Sequence, residues 1–221
     1  MKIHVYLLCY NEEKIISNII DYYKQFASKI FILDNHSTDR SVEIANNYEC
    51  VSIIPWKNES DKIDEAKYVQ LKTQLYKNYS RKDGKFTEEV ADWIISCDMD
   101  EVLYHPNIKD LLEGYTRDGV SVPKVTGFDM VGDNELDANL PIVDQYRLAE
   151  RNKNFDKRIV FKASFDMAYS YGCHPKGDGF EYMKSSYGYV TSKESELALL
   201  HYKKIGSRYL EAAKKMQQGS I

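Results

Sequence analysis

The sequence predicts an α/β fold, in which a mostly parallel sheet flanked by helices carries a smaller mixed or antiparallel sheet. In residues 1–105, apolar runs of strand length alternate with amphipathic helical segments, and polar clusters follow the runs. In residues 106–221, extended stretches are separated by polar turns. Strands that alternate with helices form right-handed crossovers and a parallel sheet covered on both faces.

The first half alternates strands and helices. The run IHVYLLC (3–9) is apolar and rich in β-branched and aromatic residues, which predicts a buried strand. Apolar residues then recur every three or four positions from 12 to 26, which predicts a helix with one buried face. The elements predicted next are strand 30–33, helix 41–48, strand 51–54, helix 61–79 and strand 91–98.

The second half predicts extended segments and one helix. The extended segments are 120–128, 142–148, 157–162 and 167–175, and a basic amphipathic helix is predicted at 207–218. We expect the extended segments to form a mixed or antiparallel sheet layered on the first half. No Pro, Gly or Ser-rich linker divides the 221 residues, so we expect one domain, 1–221, and the chain can be part of a longer polypeptide.

Composition excludes several classes of protein. With 30 basic and 34 acidic residues the net charge is -4, so we expect no nucleic-acid partner. No apolar run approaches the length of a membrane span, so we expect no span and a cytoplasmic location. The four cysteines are scattered without a CxxC pair, which indicates reduced structural thiols.

A pair of aspartates ends the apolar run IISCD. In extended backbone, Asp98 and Asp100 project to the same side. Two carboxylates at that spacing suit a hard divalent cation, Mg²⁺ or Mn²⁺, which keeps waters and substrate phosphate oxygens in its remaining positions. The alternative is that the carboxylates cap a turn or lie in solvent. Neither DMDEVL nor DNHSTD has the glycine and spaced acids of a calcium-binding EF-hand loop.

Two further polar clusters follow the first and second strands. Backbone N–H groups of CYNEE (9–13), at a helix start, can hold a phosphate or a uracil carbonyl, and Asn11 is also a plausible N-cap. In LDNHSTDRS (33–41), one of Ser37, Thr38 or Asp39 is expected to cap the next helix. Asp34 should face the same crevice as Asp98, because ligands bind outside the carboxyl ends of parallel strands.

Together, CYNEE, LDNHSTDRS and CDMDE resemble the motifs of family-2-like glycosyltransferases of the GT-A fold. The segment LLHYKKIGSRYLEAAKK (199–215) is similar to the His-Tyr segment of one branch of that family, and the opening resembles glycosyltransferases of chlorella viruses that act on capsid glycans. The resemblance implies a nucleotide-donor half, 1–105, and an acceptor half, 106–221. For a viral protein the cytoplasm would be that of the host.

The resemblance also implies roles for single residues. The nucleotide would contact Tyr10, Asn11 and Asp34. Asp98 would contact the ribose or the metal, Asp100 the metal on the diphosphate, and His201 would be a further metal ligand. The implied activity is that of a Mn²⁺- or Mg²⁺-dependent glycosyltransferase (EC class 2.4), which moves a hexose or deoxyhexose from a UDP-sugar to a glycan or glycoprotein acceptor.

An inverting enzyme of this kind needs a carboxylate base in the second half. Asp129 is the first candidate, with Asp133, Asp178 and Glu181 as rivals, and His174 lies in a loop suited to the acceptor wall. No paired-acid motif follows the aspartate pair, so inversion and retention stay open. Two alternatives also stay open: a sugar-phosphate nucleotidyltransferase, against which the glycine-free CYNEEKII counts, and a binding module without catalysis.

Overall fold

The computed structural model describes residues 1–56, 65–169 and 196–207, and the statements below concern these residues. The elements in chain order are β1 (Ile3–Cys9), α1 (Ile16–Tyr23), β2 (Lys29–Asp34), α2 (Ser41–Ala45), β3 (Val51–Pro55), α3 (Glu65–Ser80), β4 (Trp93–Asp98), β5 (Glu101–Tyr104), α4 (Ile108–Arg117), β6 (Val125–Gly132), α5 (Ile142–Gln145), β7 (Leu148–Arg151), a 3-10 helix (Lys153–Phe155), β8 (Val160–Lys162) and β9 (Leu197–Ile205).

The first sheet has the strand order β3-β2-β1-β4-β8. Its first four strands are parallel, and β8 joins β4 antiparallel at the edge. The register aligns Leu8 with Asp98 on one side of β1, and Cys9 with Asp34 on the other. The carboxyl ends of β2 and β4 therefore lie at one edge of the sheet, on either side of β1.

The second sheet has the order β5-β9-β6-β7 and is mixed. β9 is parallel to β6 and antiparallel to β5. The register of this central strand pairs His201 with Glu101 of β5 and with Asp129 of β6. The second sheet therefore brings an imidazole next to the acidic turn (Asp98–Glu101) that connects β4 to β5.

One cluster of buried apolar side chains includes residues of both sheets. On α1, Ile16, Ile19, Ile20 and Tyr23 are fully buried, and they belong to the same cluster as Leu199 of β9. Complete burial of such a side chain contributes about 1.5–3 kcal/mol. A second cluster fills the opposite face of the first sheet, beneath α3. The predicted α/β class, with a mainly parallel sheet and a second mixed sheet, is confirmed.

The second half departs from the prediction in three places. Within the segment 142–148, predicted to be extended, the residues after Pro141 form the short helix α5 and the strand begins only at Leu148. The strand predicted at 120–128 begins after Pro123, whose missing N–H cannot join a sheet ladder. The strand predicted at 157–162 pairs with β4 in the first sheet, not in the second.

Other predictions are confirmed in part or lie outside the described residues. The helix predicted over 12–26 spans only Ile16–Tyr23, and the residues before it form a loop. Most of 167–175 and all but the first residue of 207–218 lie outside the described residues. Cys9, Cys50 and Cys97 are free thiols, and burial raises the pKa of Cys9 to about 11. None of the helices in the described ranges combines the length and hydropathy needed to cross a membrane.

Candidate active site

The loops after β1 and β2 are joined by hydrogen bonds. The backbone N–H of Asn11 donates to Ser37 Oγ (3.0 Å), and the N–H of Glu12 donates to Ser41 Oγ (2.8 Å). In return, Asn11 Oδ1 accepts the N–H of Thr38 at 2.7 Å. CYNEE (9–13) and LDNHSTDRS (33–41) therefore form a single structural unit, the loop unit, at the edge where the two strands end.

These contacts correct the predicted helix caps. Asn11 does not cap α1, which begins at Ile16 after Ile15. The residue before α2 is Arg40, so none of Ser37, Thr38 and Asp39 is its N-cap. Asp39 instead accepts the backbone N–H and the hydroxyl of Ser41 at the start of α2.

Two residues of this loop unit have left-handed backbone conformations. The φ angles of Asn11 and His36 are 56° and 53°, and among the described residues they are the non-glycine residues with positive φ. Such conformations carry strain and concentrate at functional sites. Tyr10, beside Asn11, is 55% exposed, so its ring is accessible to a ligand.

Asp34 lies at the carboxyl end of β2 and is almost completely buried. Both of its carboxylate oxygens accept the N–H of Ser37, at 3.2 and 3.3 Å. The three residues predicted to contact the nucleotide, Tyr10, Asn11 and Asp34, therefore all lie in the loop unit. The side chains of Asn11 and Asp34 already accept hydrogen bonds from backbone N–H groups of that unit. Their contacts with a nucleotide stay a prediction.

The acidic turn places its carboxylates in different surroundings. The strand ends at Asp98, so the backbone at Met99 and Asp100 is a turn and not the extended geometry of the prediction. Met99 is buried, whereas the side chains of Asp98 and Asp100 are 38% and 17% exposed. Tyr68 of α3 donates its hydroxyl to Asp98 Oδ1 at 3.2 Å.

Lys157 supplies a positive charge beside the acidic turn. Its ammonium group donates to Glu101 Oε1 and lies 3.8 Å from Asp98 Oδ2. Glu101 Oε2 accepts the backbone N–H of Asp98 at 3.1 Å, so this buried carboxylate also fixes the turn. Burial alone would lower the pKa of Lys157, but the charges of Glu101 and Asp98 raise it. Lys157 is therefore a charged ammonium group.

His201 lies beside the other aspartate of the pair. Its Nε2 is 3.4 Å from Asp100 Oδ2, and its Nδ1 is 2.8 Å from Asp129 Oδ1. Burial alone would lower the pKa of His201, but the hydrogen bond and charge of Asp100, followed by the hydrogen bond to Asp129, raise it above its ordinary value. A histidine held by a carboxylate through one nitrogen presents the other in a fixed direction, as metal-binding histidines do.

Asp129 is enclosed by donors. Besides His201, it accepts hydrogen bonds from Lys204 Nζ (2.9 Å) and Asn152 Nδ2 (3.0 Å), and only 2% of its surface is exposed. Burial alone would raise the pKa of Asp129, but these hydrogen bonds lower it. A weakly basic, enclosed carboxylate is better suited to orient His201 than to take a proton from an acceptor.

The predicted metal ligands do not form a complete cage. Within the described ranges, no group of three or more His, Cys, Asp or Glu side chains is arranged to hold a metal ion. Asp98 is turned towards Tyr68 and Lys157, and Asp100 is turned towards His201. The residues still fit Mg²⁺ or Mn²⁺, because these ions need only one or two protein carboxylates when diphosphate oxygens and water complete the coordination.

The remaining predicted site residues are less informative. Asp133 is exposed on the loop after β6, whereas His174, Asp178 and Glu181 lie outside the described residues. A cavity of about 430 Å³ is lined by Lys14, Ile15, Glu135, Leu136, Tyr202, Ile205 and Ser207. Neither Asp98 nor Asp100 lines this cavity, so its position does not coincide with that of the acidic turn.

Lys157 and Tyr68 have no local signal in the sequence that marks them as neighbours of the acidic turn. Lys157 is separated from Glu101 by 56 positions, and Tyr68 from Asp98 by 30. Neighbouring carboxylates repel each other, which is a general signal that a cation lies nearby. That signal did not identify which lysine supplies the charge.

Comparisons with known proteins give the fold. No protein-family model matches the sequence, and no curated protein matches it significantly. Among solved structures, TarS 1-349 from S. aureus is similar over 96% of this chain and 63% of that one, with a TM-score of 0.52 and 14% identity. The chain has the GT-A fold. Because the identity is so low, this likeness establishes the GT-A fold alone.

A second solved structure is similar over a shorter region. Glucosyl-3-phosphoglycerate synthase from Mycobacterium tuberculosis, in complex with Mn²⁺, UDP and phosphoglyceric acid, is similar over 57% of this chain and 43% of that one, with 18% identity and a TM-score of 0.39. This chain spans less than two thirds of the length of either structure.

Proposed function

We propose that this chain is a metal-dependent glycosyltransferase. It would move a hexose or deoxyhexose from a UDP-sugar to a glycan or glycoprotein acceptor. The observation that carries the proposal is the position of Asp98 and Asp100 at the carboxyl edge of a GT-A sheet, with His201 3.4 Å from Asp100. Asp34 lies at the same edge, two strands away.

The residues at this edge divide into three roles. Asp100 and His201 would hold Mn²⁺ or Mg²⁺, with Asp98 as a second carboxylate towards the metal or the ribose. When bound, the divalent cation stabilises the negative charge that develops on the departing diphosphate. Tyr10, Asn11 and Asp34 would contact the nucleotide. We assign to Asp129 the orientation of His201, because its carboxylate is enclosed by donors.

The general base is a separate requirement. An inverting transfer needs a carboxylate that reaches the acceptor hydroxyl. Since the enclosure of Asp129 disfavours this role, the candidates are Asp133, which is exposed, and Asp178 and Glu181. The class of acceptor is also part of the proposal. It includes capsid glycans, because the opening of the sequence resembles chlorella-virus enzymes that act on capsid glycans.

Calorimetric titration of UDP tests the proposal. Wild-type protein is titrated with UDP in MnCl₂ and in EDTA, and the titrations are repeated with Asp100→Ala. We expect UDP to bind much more tightly in MnCl₂ than in EDTA, and the variant to lose affinity in MnCl₂ by about tenfold or more, as metal-site variants typically do. Asp110→Ala, an exposed aspartate in the first turn of α4, is the matched control and should bind like wild type.

Two outcomes would contradict the proposal. Absence of UDP binding with Mn²⁺ would exclude the UDP-sugar donor, and equal affinities of Asp100→Ala and wild type would remove the metal from Asp100. A turnover assay with UDP-sugars then separates an enzyme from a binding module, because a module without catalysis binds UDP but releases none from the donor.

A further inference from the structure

One short segment contacts the acidic turn at one end and the carboxylate partner of His201 at the other. The bridging segment (Asn152–Lys157) follows β7 and includes the 3-10 helix. Its first residue donates to Asp129, the carboxylate that holds His201. Its last residue, Lys157, donates to Glu101 and lies 3.8 Å from Asp98. The segment thus reaches the surroundings of both aspartates from a position far away in sequence.

Phe155, in the middle of this segment, contacts the two basic side chains of the site. Its ring centroid lies 4.0 Å from that of the His201 imidazole, with 31° between the planes. The ammonium nitrogen of Lys157 lies 4.7 Å from the same centroid. Stacking restricts the rotation of an imidazole, and an aromatic face attracts an ammonium group. One ring therefore limits the movement of both neighbours of the aspartate pair.

The backbone of β6 holds the bridging segment in place. Gly127 donates its N–H to Asp156 Oδ1 at 2.9 Å, and its carbonyl accepts the N–H of Asn152 at 3.1 Å. A Cβ atom at Gly127 would lie 2.3 Å from the Cβ of Phe155, so only glycine allows this close approach. The backbone and Cβ atom of Phe155 are consequently held against β6.

We propose that Phe155 is a positioning residue of the donor site. Its ring holds His201 beside Asp100 and Lys157 beside Asp98, so that both aspartates meet a divalent cation and a diphosphate in one geometry. The proposal rests on the proposed function of this site. Phe155 itself is not a ligand and takes no part in bond formation.

The experiment compares three variants with wild type by titration of UDP in MnCl₂ and in EDTA, and of Mn²⁺ alone. Phe155→Leu keeps an apolar side chain but removes the ring, whereas Phe155→Tyr restores the ring. Phe86→Leu is the matched control: the Phe86 ring also contacts an ammonium group, Lys85 Nζ at 5.0 Å, but it lines a cavity with His4 and Lys29, at the starts of β1 and β2. Thermal unfolding of each variant shows whether it is folded.

We expect Phe155→Leu to weaken Mn²⁺-dependent UDP binding by about tenfold, in the range found when support of a metal ligand is lost. Phe155→Tyr and Phe86→Leu should bind within about twofold of wild type, and the weak binding in EDTA should be the same for all proteins. In this pattern only the gain in UDP affinity that Mn²⁺ produces is reduced. A general loss of stability would not produce such a selective change.

The outcomes separate this inference from the proposed function. If wild type binds UDP in a Mn²⁺-dependent manner and Phe155→Leu binds with the same affinity, the positioning role is overturned and the proposed function stays intact. Equal losses in Phe155→Leu and Phe86→Leu would also overturn the positioning role. Wild-type protein that shows no Mn²⁺-dependent UDP binding would overturn both.

Discussion

The partners of His201 determine how the acidic turn can be used. Asp129 holds Nδ1, so Nε2 is directed towards Asp100. Lys204 contributes a second positive charge to Asp129 and also lies 3.4 Å from the exposed Glu150. The buried contact and the exposed one should differ in their effect, because an exposed ion pair contributes little.

Asp129→Asn should weaken Mn²⁺-dependent UDP binding by about 10- to 100-fold, the usual effect of removing the partner of a metal-binding histidine. The reason is that a neutral amide no longer stabilises and orients His201. Titration of UDP in MnCl₂ measures the change. Glu150→Gln, at the other partner of Lys204, should have wild-type affinity, and an equal loss in both variants would contradict the assigned role of Asp129.

A different buried histidine makes stability depend on pH. His4 is fully buried, its Nδ1 lies 2.6 Å from Ser80 Oγ, and its Nε2 lies 3.1 Å from Glu89. Burial lowers the pKa of His4 despite the opposing effect of Glu89. In the folded protein the ring therefore stays neutral at a pH where the unfolded chain already binds a proton. Its contribution to stability is complete above the unfolded pKa and decreases as the pH falls below it.

The contribution of His4 to the free energy of unfolding should accordingly fall between about pH 7.5 and 5.5, and this contribution should be absent in His4→Gln. Urea denaturation at the two pH values measures both changes. The carboxylate of Glu89 does not interfere, because a hydrogen bond from Lys2, followed by others including that of His4, lowers its pKa to about 2. Its contribution is lost only at more acidic pH, between its unfolded pKa and about 2. Identical pH dependence in the two proteins would exclude His4 as the cause.

The strands of the first sheet could be predicted because each is a continuous apolar run with its own local signal. β1, β2 and β3 lie close to their predicted positions. The predicted strand 157–162, which contains β8, was placed in the wrong sheet because its partner, β4, lies more than sixty residues earlier in the chain. Local patterns identify a strand but do not identify its neighbour.

The same distinction explains what could be predicted of the site. The positions of Asp34, Asp98 and Asp100 at the carboxyl edge of the first sheet could be predicted because each ends or follows an apolar strand. Lys157 was missed because the bridging segment reaches the acidic turn only through its packing on Gly127. That packing depends on the absence of a side chain, which is difficult to recognise in a sequence.

Gly127→Ala tests this packing directly. The added methyl group would lie 2.3 Å from Phe155 Cβ and 2.5 Å from its carbonyl carbon, so the bridging segment must shift. We expect a loss of about 1–3 kcal/mol in the free energy of unfolding, measured by urea denaturation, as overpacking typically produces.

The control is Gly114→Ala on α4, where the nearest atom to an added Cβ is 3.7 Å away. This change should stabilise the protein by about 0.5–1 kcal/mol, because alanine is the better helix former. A Gly127→Ala variant as stable as wild type would mean that the bridging segment is not held by this close contact.

The two sheets share one core, and this has a consequence for unfolding of the chain as a whole. The cluster that contains Ile3 and Val5 of the first sheet also contains Leu199 and Tyr202 of the second. Neither sheet can lose its packing without exposing apolar surface of the other. The donor side and the β9 side of the site should therefore unfold in one transition.

Leu199→Ala should lower the free energy of unfolding by about 2–5 kcal/mol, because the side chain is fully buried in the shared core. Near-ultraviolet and far-ultraviolet circular dichroism should follow the same urea transition before and after the change. Leu148→Ala, on the exposed strand β7 where the leucine is 70% exposed, should alter stability by less than about 0.5 kcal/mol. If Leu199→Ala unfolds in separate transitions and the first sheet is unaffected, the two sheets are independent units. His201 would then reach the acidic turn by docking of one unit on the other.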